Sequence, residues 1–319
     1  MKKILLVVIM IIGLSSSRSA MSASVIYDES KDIVYLGGFG ISNLQYVFEK
    51  IEPQNEDKIY AIDTKNNKAG VLINAGDRIF AYELSAKGYL AVSTSMQEKG
   101  KITYINKLII YKTTGERLTI IDNVLSKGFN NYFSWSGDGN KIVYVKGEDV
   151  IEGRVQPRGV WIYDIVKNEE VMISKWGAEV NWSKHDNNIY IQNEFKEDNP
   201  SDVSVYNTTT NKLTRSDHNG VIFSSDGKYY IGYMMPGGYE SYAEYIYEAA
   251  TNKKLLASQK EAIWNKEMLY QIIFIRNTHY VLTWSWKGGY KVFDVDKGNV
   301  IRRVDKAGVV GWNKDIHNR

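Results

Sequence analysis

Along this chain a short pattern of apolar and polar positions recurs six times: apolar–x–apolar–aromatic, a polar residue, then a turn rich in Lys, Asn, Gly and Thr. The copies are Ile59-Tyr60-Ala61-Ile62-Asp63, Leu108-Ile109-Ile110-Tyr111-Lys112, Val160-Trp161-Ile162-Tyr163-Asp164, Val203-Ser204-Val205-Tyr206-Asn207, Glu244-Tyr245-Ile246-Tyr247-Glu248 and Lys291-Val292-Phe293-Asp294. Alternation with a period of two is the mark of a half-buried strand. The anchors Ile62, Tyr111, Tyr163, Tyr206, Tyr247 and Phe293 stand 41 to 52 residues apart. Before each signature lies a second pair of short apolar runs around a tight turn. Phe80–Leu84 precedes Tyr89–Val92, and Tyr132–Trp135 precedes Ile142–Val145. After each comes a fourth strand, such as Glu170–Ile173 or Asn299–Val304. Four strands repeated at this period predict an all-β chain folded as a single six-bladed β-propeller of four-stranded antiparallel blades.

The blades are expected near 23–75, 76–126, 127–175, 176–216, 217–260 and 261–306. Residues 307–313, around Gly311-Trp312-Asn313, read as a closing strand that repeats an innermost one. The four prolines, Pro53, Pro157, Pro200 and Pro236, all fall between the second and third strands of a blade. Loops suit them there, because proline cannot donate to a ladder. Trp135 and Trp182 end innermost strands, where Tyr27, Leu84 and Phe223 stand in other blades. Large side chains at that position are expected to wedge between blades.

The first-turn residues carry a resemblance. Trp135-Ser136-Gly137-Asp138-Gly139, followed by Ile142-Val143-Tyr144-Val145 and Val160-Trp161-Ile162-Tyr163-Asp164, resembles the TolB-type, WD-like propeller repeat. Phe223-Ser224-Ser225-Asp226-Gly227 and Trp182-Ser183-Lys184-His185-Asp186 are weaker copies. That repeat reads Ser-Pro-Asp-Gly at its first turn, and no copy here keeps the proline. The resemblance implies a propeller fold and a periplasmic habit.

Residues 1–22 read as a secretory signal peptide: Lys2 and Lys3, the apolar run Ile4–Leu14, then a small, polar stretch to a cleavage pattern at Ala20-Met21-Ser22. The whole chain carries 40 Lys+Arg against 37 Asp+Glu, a formal charge of +3. Cleavage would remove Lys2, Lys3 and Arg18 and leave a neutral mature chain, 23–319. A neutral chain has no built-in attraction for nucleic acid or anionic lipid. No membrane span is expected after cleavage. The chain has no cysteine, so a periplasmic or secreted protein that folds without disulfides is expected.

In a four-stranded meander the second-to-third loops share one face of the disc. Their expected lengths are about 21 residues (Gly37–Asp57), 13 (Thr94–Asn106), 13 (Gly147–Gly159) and then about 9, 8 and 3. Long loops on a rigid scaffold carry function. This face holds the candidate binding residues Tyr46, Phe48, Arg154, Arg158, Phe195, Tyr239, Tyr242 and Trp286, of types that anchor interfaces. The four histidines, His185, His218, His279 and His317, stand at no metal-ligand spacing, and His218 reads as part of a surface turn. No nucleophile elbow, phosphate loop or dinucleotide fingerprint is present. No catalytic residue, metal or cofactor is therefore expected. The favoured function is non-catalytic binding of a protein or peptide in the cell envelope by a monomer. A carbohydrate-binding or polysaccharide-cleaving, lyase-like propeller is the alternative.

Overall fold

A computed structural model describes residues 24–28, 31, 33–37, 57–63, 68–95, 105–125, 132–151, 154–193, 202–218, 220–224, 226–234, 243–255, 269–274, 280–285 and 289–304. Every regular element among them is a strand, and every named pairing is antiparallel. The first sheet runs in chain order: β1 (Ser24–Asp28), β2 (Ile33–Gly37), β3 (Lys58–Asp63) and β4 (Lys68–Asn74). Next come β5 (Ile79–Leu84), β6 (Tyr89–Ser95), β7 (Ile105–Lys112) and β8 (Arg117–Leu125). The third unit is β9 (Phe133–Trp135), β10 (Lys141–Ile151), β11 (Arg154–Asp164) and β12 (Glu169–Ser174). The fourth is β13 (Glu179–Trp182), β14 (Asn188–Gln192), β15 (Val203–Asn207) and β16 (Lys212–Arg215). The fifth has β17 (Ile222–Phe223), β18 (Tyr229–Met234) and β19 (Ala243–Glu248). The sixth has β20 (Leu269–Phe274), β21 (Tyr280–Ser285), β22 (Gly289–Asp294) and β23 (Asn299–Val304).

Three features depart from a ring of six equal, separate blades. Units two and three are joined, because Val124 of β8 pairs with Lys146 of β10, and together they make one eight-stranded sheet. Among the described residues unit five shows three strands, with one further bridge between Tyr247 and Lys254 where a fourth is expected. The segment expected as a loop at Gly147–Gly159 is a continuation of the β10–β11 hairpin, with Gly147 opposite Pro157 and Ile151 opposite Arg154. Pro157 thus lies inside a strand, beside a register shift, where the ladder is already interrupted.

Successive units pack face to face through their apolar residues. Tyr35, Ile59 and Ile73 meet Ile79, Leu90 and Ile109. Ala91, Leu108 and Ile110 meet Trp135, Ile142 and Tyr144. Val143 and Val160 meet Val180 and Ile189. Tyr190 and Val203 meet Val221, and Ile231 and Ile246 meet Val281 and Phe293. Hydrogen bonds follow the same succession. Tyr82 donates to the Tyr35 carbonyl at 3.0 Å, and Trp135 Nε1 to that of Glu83 at 3.0 Å. Ser134 donates to Asn181 Oδ1 at 3.2 Å, and Asn181 Nδ2 donates onward to the Val221 carbonyl at 2.7 Å. Tyr229 closes the series on Asp296 at 2.6 Å. The innermost strands β1, β5, β9 and β13 lie side by side in that order. Trp135 and Trp182 are buried, as their place at the end of innermost strands predicted.

The turns explain the sequence signals. Ser136 accepts from the Lys141 amide at 3.0 Å and donates to Asp138 at 2.6 Å, while Asp138 accepts from the Asn140 amide at 3.1 Å. Ser224 and Asp226 repeat the arrangement, and Ser183 and Asp186 make a variant of it. Ser85 does the same with the amides of Lys87 and Tyr89, a fourth copy that lacks the aspartate and so went unread. Gly139 and Gly227 follow with φ near +70°. A Cβ at Gly139 would lie 2.7 Å from the Lys87 amide, and one at Gly227 2.4 Å from the His185 ring. Neighbouring turns therefore abut, and only glycine fits between them. Between third and fourth strands, Asn168, Asn211 and Asn252 take the left-handed conformation. The signature tyrosines Tyr163 and Tyr206 donate to Asn168 and Asn211 at 2.5 and 2.9 Å. That link joins the aromatic to the turn asparagine in units three and four; in unit five Asn252 accepts from Tyr230 of β18 at 3.2 Å instead.

The Ser136 hydrogen bond holds the Asp138 carboxyl below the usual carboxylate range against an opposing cost of burial, with the Asn140 hydrogen bonds and the nearby Lys141 adding to it. A depressed folded value contributes stability that is complete above the ordinary carboxylate pKa and is lost as pH falls through the folded one. Ser136→Ala is expected to flatten the fall of the urea midpoint between about pH 4 and pH 2. Parallel acid profiles for parent and variant would contradict this.

Candidate binding face

The ends of the second and fourth strands and the starts of the third lie on one side of each unit. This is the side expected to carry the long loops. Of the candidate residues there, Tyr46, Phe48, Phe195, Tyr239, Tyr242 and Trp286 lie outside the described residues, and so does the closing segment 307–313. Two candidates belong to the extended hairpin. Arg154 opens β11, and Arg158 sits four residues further along it.

The base of the hairpin is fastened on both sides. Lys146 pairs through its backbone with β8, while its Nζ lies 2.6 Å from Glu170 and 4.2 Å from the centre of the Trp161 ring. Tyr144 donates to the same Glu170 carboxylate. Burial, and then Glu170, pushes the Tyr144 hydroxyl well above its ordinary value, so it remains a donor. Further out, Arg158 Nε donates to Glu148 across the hairpin, and the two groups also form an ion pair. Both side chains are about half exposed, so the pair orients Arg158 more than it stabilises the fold. The result is a hairpin that is fastened at its base and carries charge past the point where the rest of unit three ends.

Under this side the units are polar within. Ser93, Thr94 and Asn106 at the end of unit two are buried, as are Glu179 and Gln192 in unit four. Asn106 reaches Ser93 at 3.5 Å, and Asn193 donates to Ser204 at 3.2 Å. One exposed residue near the hairpin was missed from sequence. Trp176 follows β12 in the crossing to β13, and 66% of its surface is open to solvent. The corresponding crossings after β4 and β16 carry Ala75-Gly76 and Ser216-Asp217. An aromatic at that point breaks the repeat, and this was the available signal.

Two of the four histidines, His185 and His218, are among the described residues, and both are used in packing. His185 lies against Gly227 of the next unit. His218 is not in a surface turn: its ring meets Tyr190, Phe223 and Tyr230 edge-on, with centroids 5.7, 5.3 and 4.9 Å away. Its Nδ1 is 2.9 Å from Ser216 Oγ and its Nε2 3.2 Å from the Ala249 carbonyl. The hydroxyl of Tyr190 is pushed up to about 12 by burial and by Asp186. Among the described residues no group of three or more His, Asp or Glu could hold a metal ion. No helix among them is long and apolar enough to cross a membrane.

Comparison with solved structures gives the fold. The WD40 repeats of RRP9 match with a TM-score of 0.53 at 8% identity, over 88% of this chain and 79% of that one. The fold is that of the propellers. TolB from Acinetobacter baumannii is similar at 15% identity and a TM-score of 0.49, over 77% of this chain. The chain spans 59% of the length of that TolB structure. The likeness to TolB and WD40 propellers is one of repeats. No protein-family model matches the chain, and no curated protein matches it.

Proposed function

We propose that this is an exported, non-catalytic binding propeller that engages a protein or peptide of the cell envelope through its long-loop face. In this reading residues 1–22 are removed on export to the periplasm or beyond, and six blades follow. The observation that carries the reading is the β10–β11 hairpin. It extends past its blade, is fastened at its base by Lys146, Glu170 and Tyr144, and presents Arg158 already oriented by Glu148. A charged hairpin fastened at its base loses little freedom on docking, which favours association. In this reading Tyr46, Phe48, Phe195, Tyr239, Tyr242 and Trp286, which the sequence assigns to the same face, act as aromatic anchors, and Arg154 adds a second cation. The packing roles of His185 and His218 support binding rather than chemistry at those groups.

The test is capture from envelope extract with tagged protein recovered from the periplasm. Its intact mass is read first. A mass that still includes Lys2 and Lys3 would overturn the export. Arg154→Ala with Arg158→Ala, and Tyr242→Ala with Trp286→Ala, are each expected to reduce capture of the principal partner about tenfold or more. Their unfolding free energies should stay within about 0.5 kcal/mol of the parent. No specific capture by the parent, or equal capture by all three proteins, would sink the reading.

A further inference from the structure

Eight large hydrophobic side chains are conspicuously exposed among the described residues, and four of them fall within residues 166–176 of unit three. These are Val166 at 73%, Val171 at 55%, Met172 at 44% and Trp176 at 66%. They lie along β12 and just beyond its two ends. Among the described residues β12 pairs only with β11, so none of them forms a strand on its other edge. Val171 and Met172 are adjacent and point to opposite faces of the strand, so each face carries an exposed hydrophobic side chain next to one carboxylate, Glu169 on one and Glu170 on the other. An apolar, unpaired edge is a template for another strand, and proteins usually blunt it with charge. Two other outer strands set charge beside a single exposed hydrophobic side chain: β16 carries Lys212 and Arg215 around Leu213, and β23 carries Arg302 and Arg303 after Ile301. Two such basic edges repel each other. β12 differs, because it begins with Glu169 and is followed by Lys175, both exposed.

We infer that the β12 edge is an isologous interface with a second copy of this chain, the two strands lying antiparallel about a two-fold axis near Met172. The charge order selects both orientation and occupant. Antiparallel alignment sets Glu169 of one copy against the partner's Lys175, twice by symmetry, whereas parallel alignment sets like against like. The same alignment lays Trp176 of one copy over the partner's turn at Val166 and brings the two Met172 side chains together. All four exposed hydrophobic side chains are then covered by one symmetric contact. A bulge at Ile173, where Val160 opposes Ser174 and Trp161 opposes Met172, lies beside the axis and leaves few regular backbone bonds between the two strands. Side-chain burial and the two ion pairs therefore contribute beside the backbone bonds. Where a monomer is expected from sequence, this edge argues for a dimer. The inference is independent of the proposed binding face, which can stand or fall by itself.

Sedimentation velocity of the mature protein, from about one to several hundred micromolar, tests the inference, with circular dichroism confirming that each variant is folded. The parent is expected to dimerise within this range, more weakly as salt is raised. Glu169→Lys and Lys175→Glu should each raise the dissociation constant about tenfold or more, by replacing attraction with repulsion at two symmetric sites. The double exchange should restore dimerisation, which a merely structural role for either residue would not do. Met172→Lys should abolish it. A parent that stays monomeric throughout, a double exchange no better than the single changes, or an unaffected Met172→Lys would each overturn the inference.

Discussion

Replacing Trp135 by alanine is expected to lower the unfolding free energy by about 3–5 kcal/mol, the range for truncating a large buried aromatic. Only 1% of Trp135 is exposed. Its ring stacks on Tyr89 of unit two with centroids 6.3 Å apart, and its Nε1 donates to the Glu83 carbonyl at 3.0 Å. Both contacts cross from unit three to unit two. The substitution therefore opens a cavity between sheets and leaves a carbonyl without its donor, and the two costs add. Trp182→Ala should follow at a somewhat smaller cost, since Trp182 is slightly more exposed. Arg158→Ala is expected to change stability little, because its partner Glu148 is also half exposed. Urea unfolding of the three variants checks the order. If Arg158→Ala were the most destabilising, the assignment of core and surface would be inverted.

Deleting residues 308–319 is expected to lower the melting temperature sharply, whereas deleting only 316–319 should not. Packing runs unbroken from unit one to unit six across five successive contacts. A ring needs a sixth contact, between the sheet β20–β23 and the sheet β1–β4. Gly308–Trp312 repeats the sequence of an innermost strand after β23 has already completed its sheet. In the proposed ring it pairs within the first unit and links the two ends of the chain. Without that link two units would each expose an apolar face to water. Equal melting temperatures for the parent and both truncations would show that closure does not depend on this segment.

Much of this was legible because it is local. The alternation of Val160, Ile162 and Tyr206 with polar neighbours follows from the two-residue period of a strand beside a core. The turns at Ser136, Ser183 and Ser224 are set by hydrogen bonds spanning five residues or fewer. Each of these signals needs nothing beyond its own stretch of chain, and the strands expected from them are present. Spacing alone marks one face for long loops, and that remains an expectation: all six of its aromatic candidates lie outside the described residues, and so do most of the loops themselves.

Other features were decided by contacts distant in sequence. Gly147–Gly159 reads as a loop because it is polar and holds glycine and proline; there is no core at the tip of a projecting hairpin to impose an apolar alternation. Its strands exist because backbone pairs with backbone, which leaves no mark on residue choice. The joining of units two and three rests on one pairing, Lys146 with Val124, between residues that carry no sequence signal for each other. His218 looks like part of a polar turn with Ser216 and Asp217, yet its ring is held by Tyr190, Phe223 and Tyr230 from two units. Trp176 and Met172 could have been core residues by composition, and only the packing of unit three leaves them in solvent. By itself the sequence determined the strands, their turns and their repetition, because those depend on neighbours along the chain. Tertiary structure alone decided which edges and side chains remain uncovered, because that depends on what the other units have already buried.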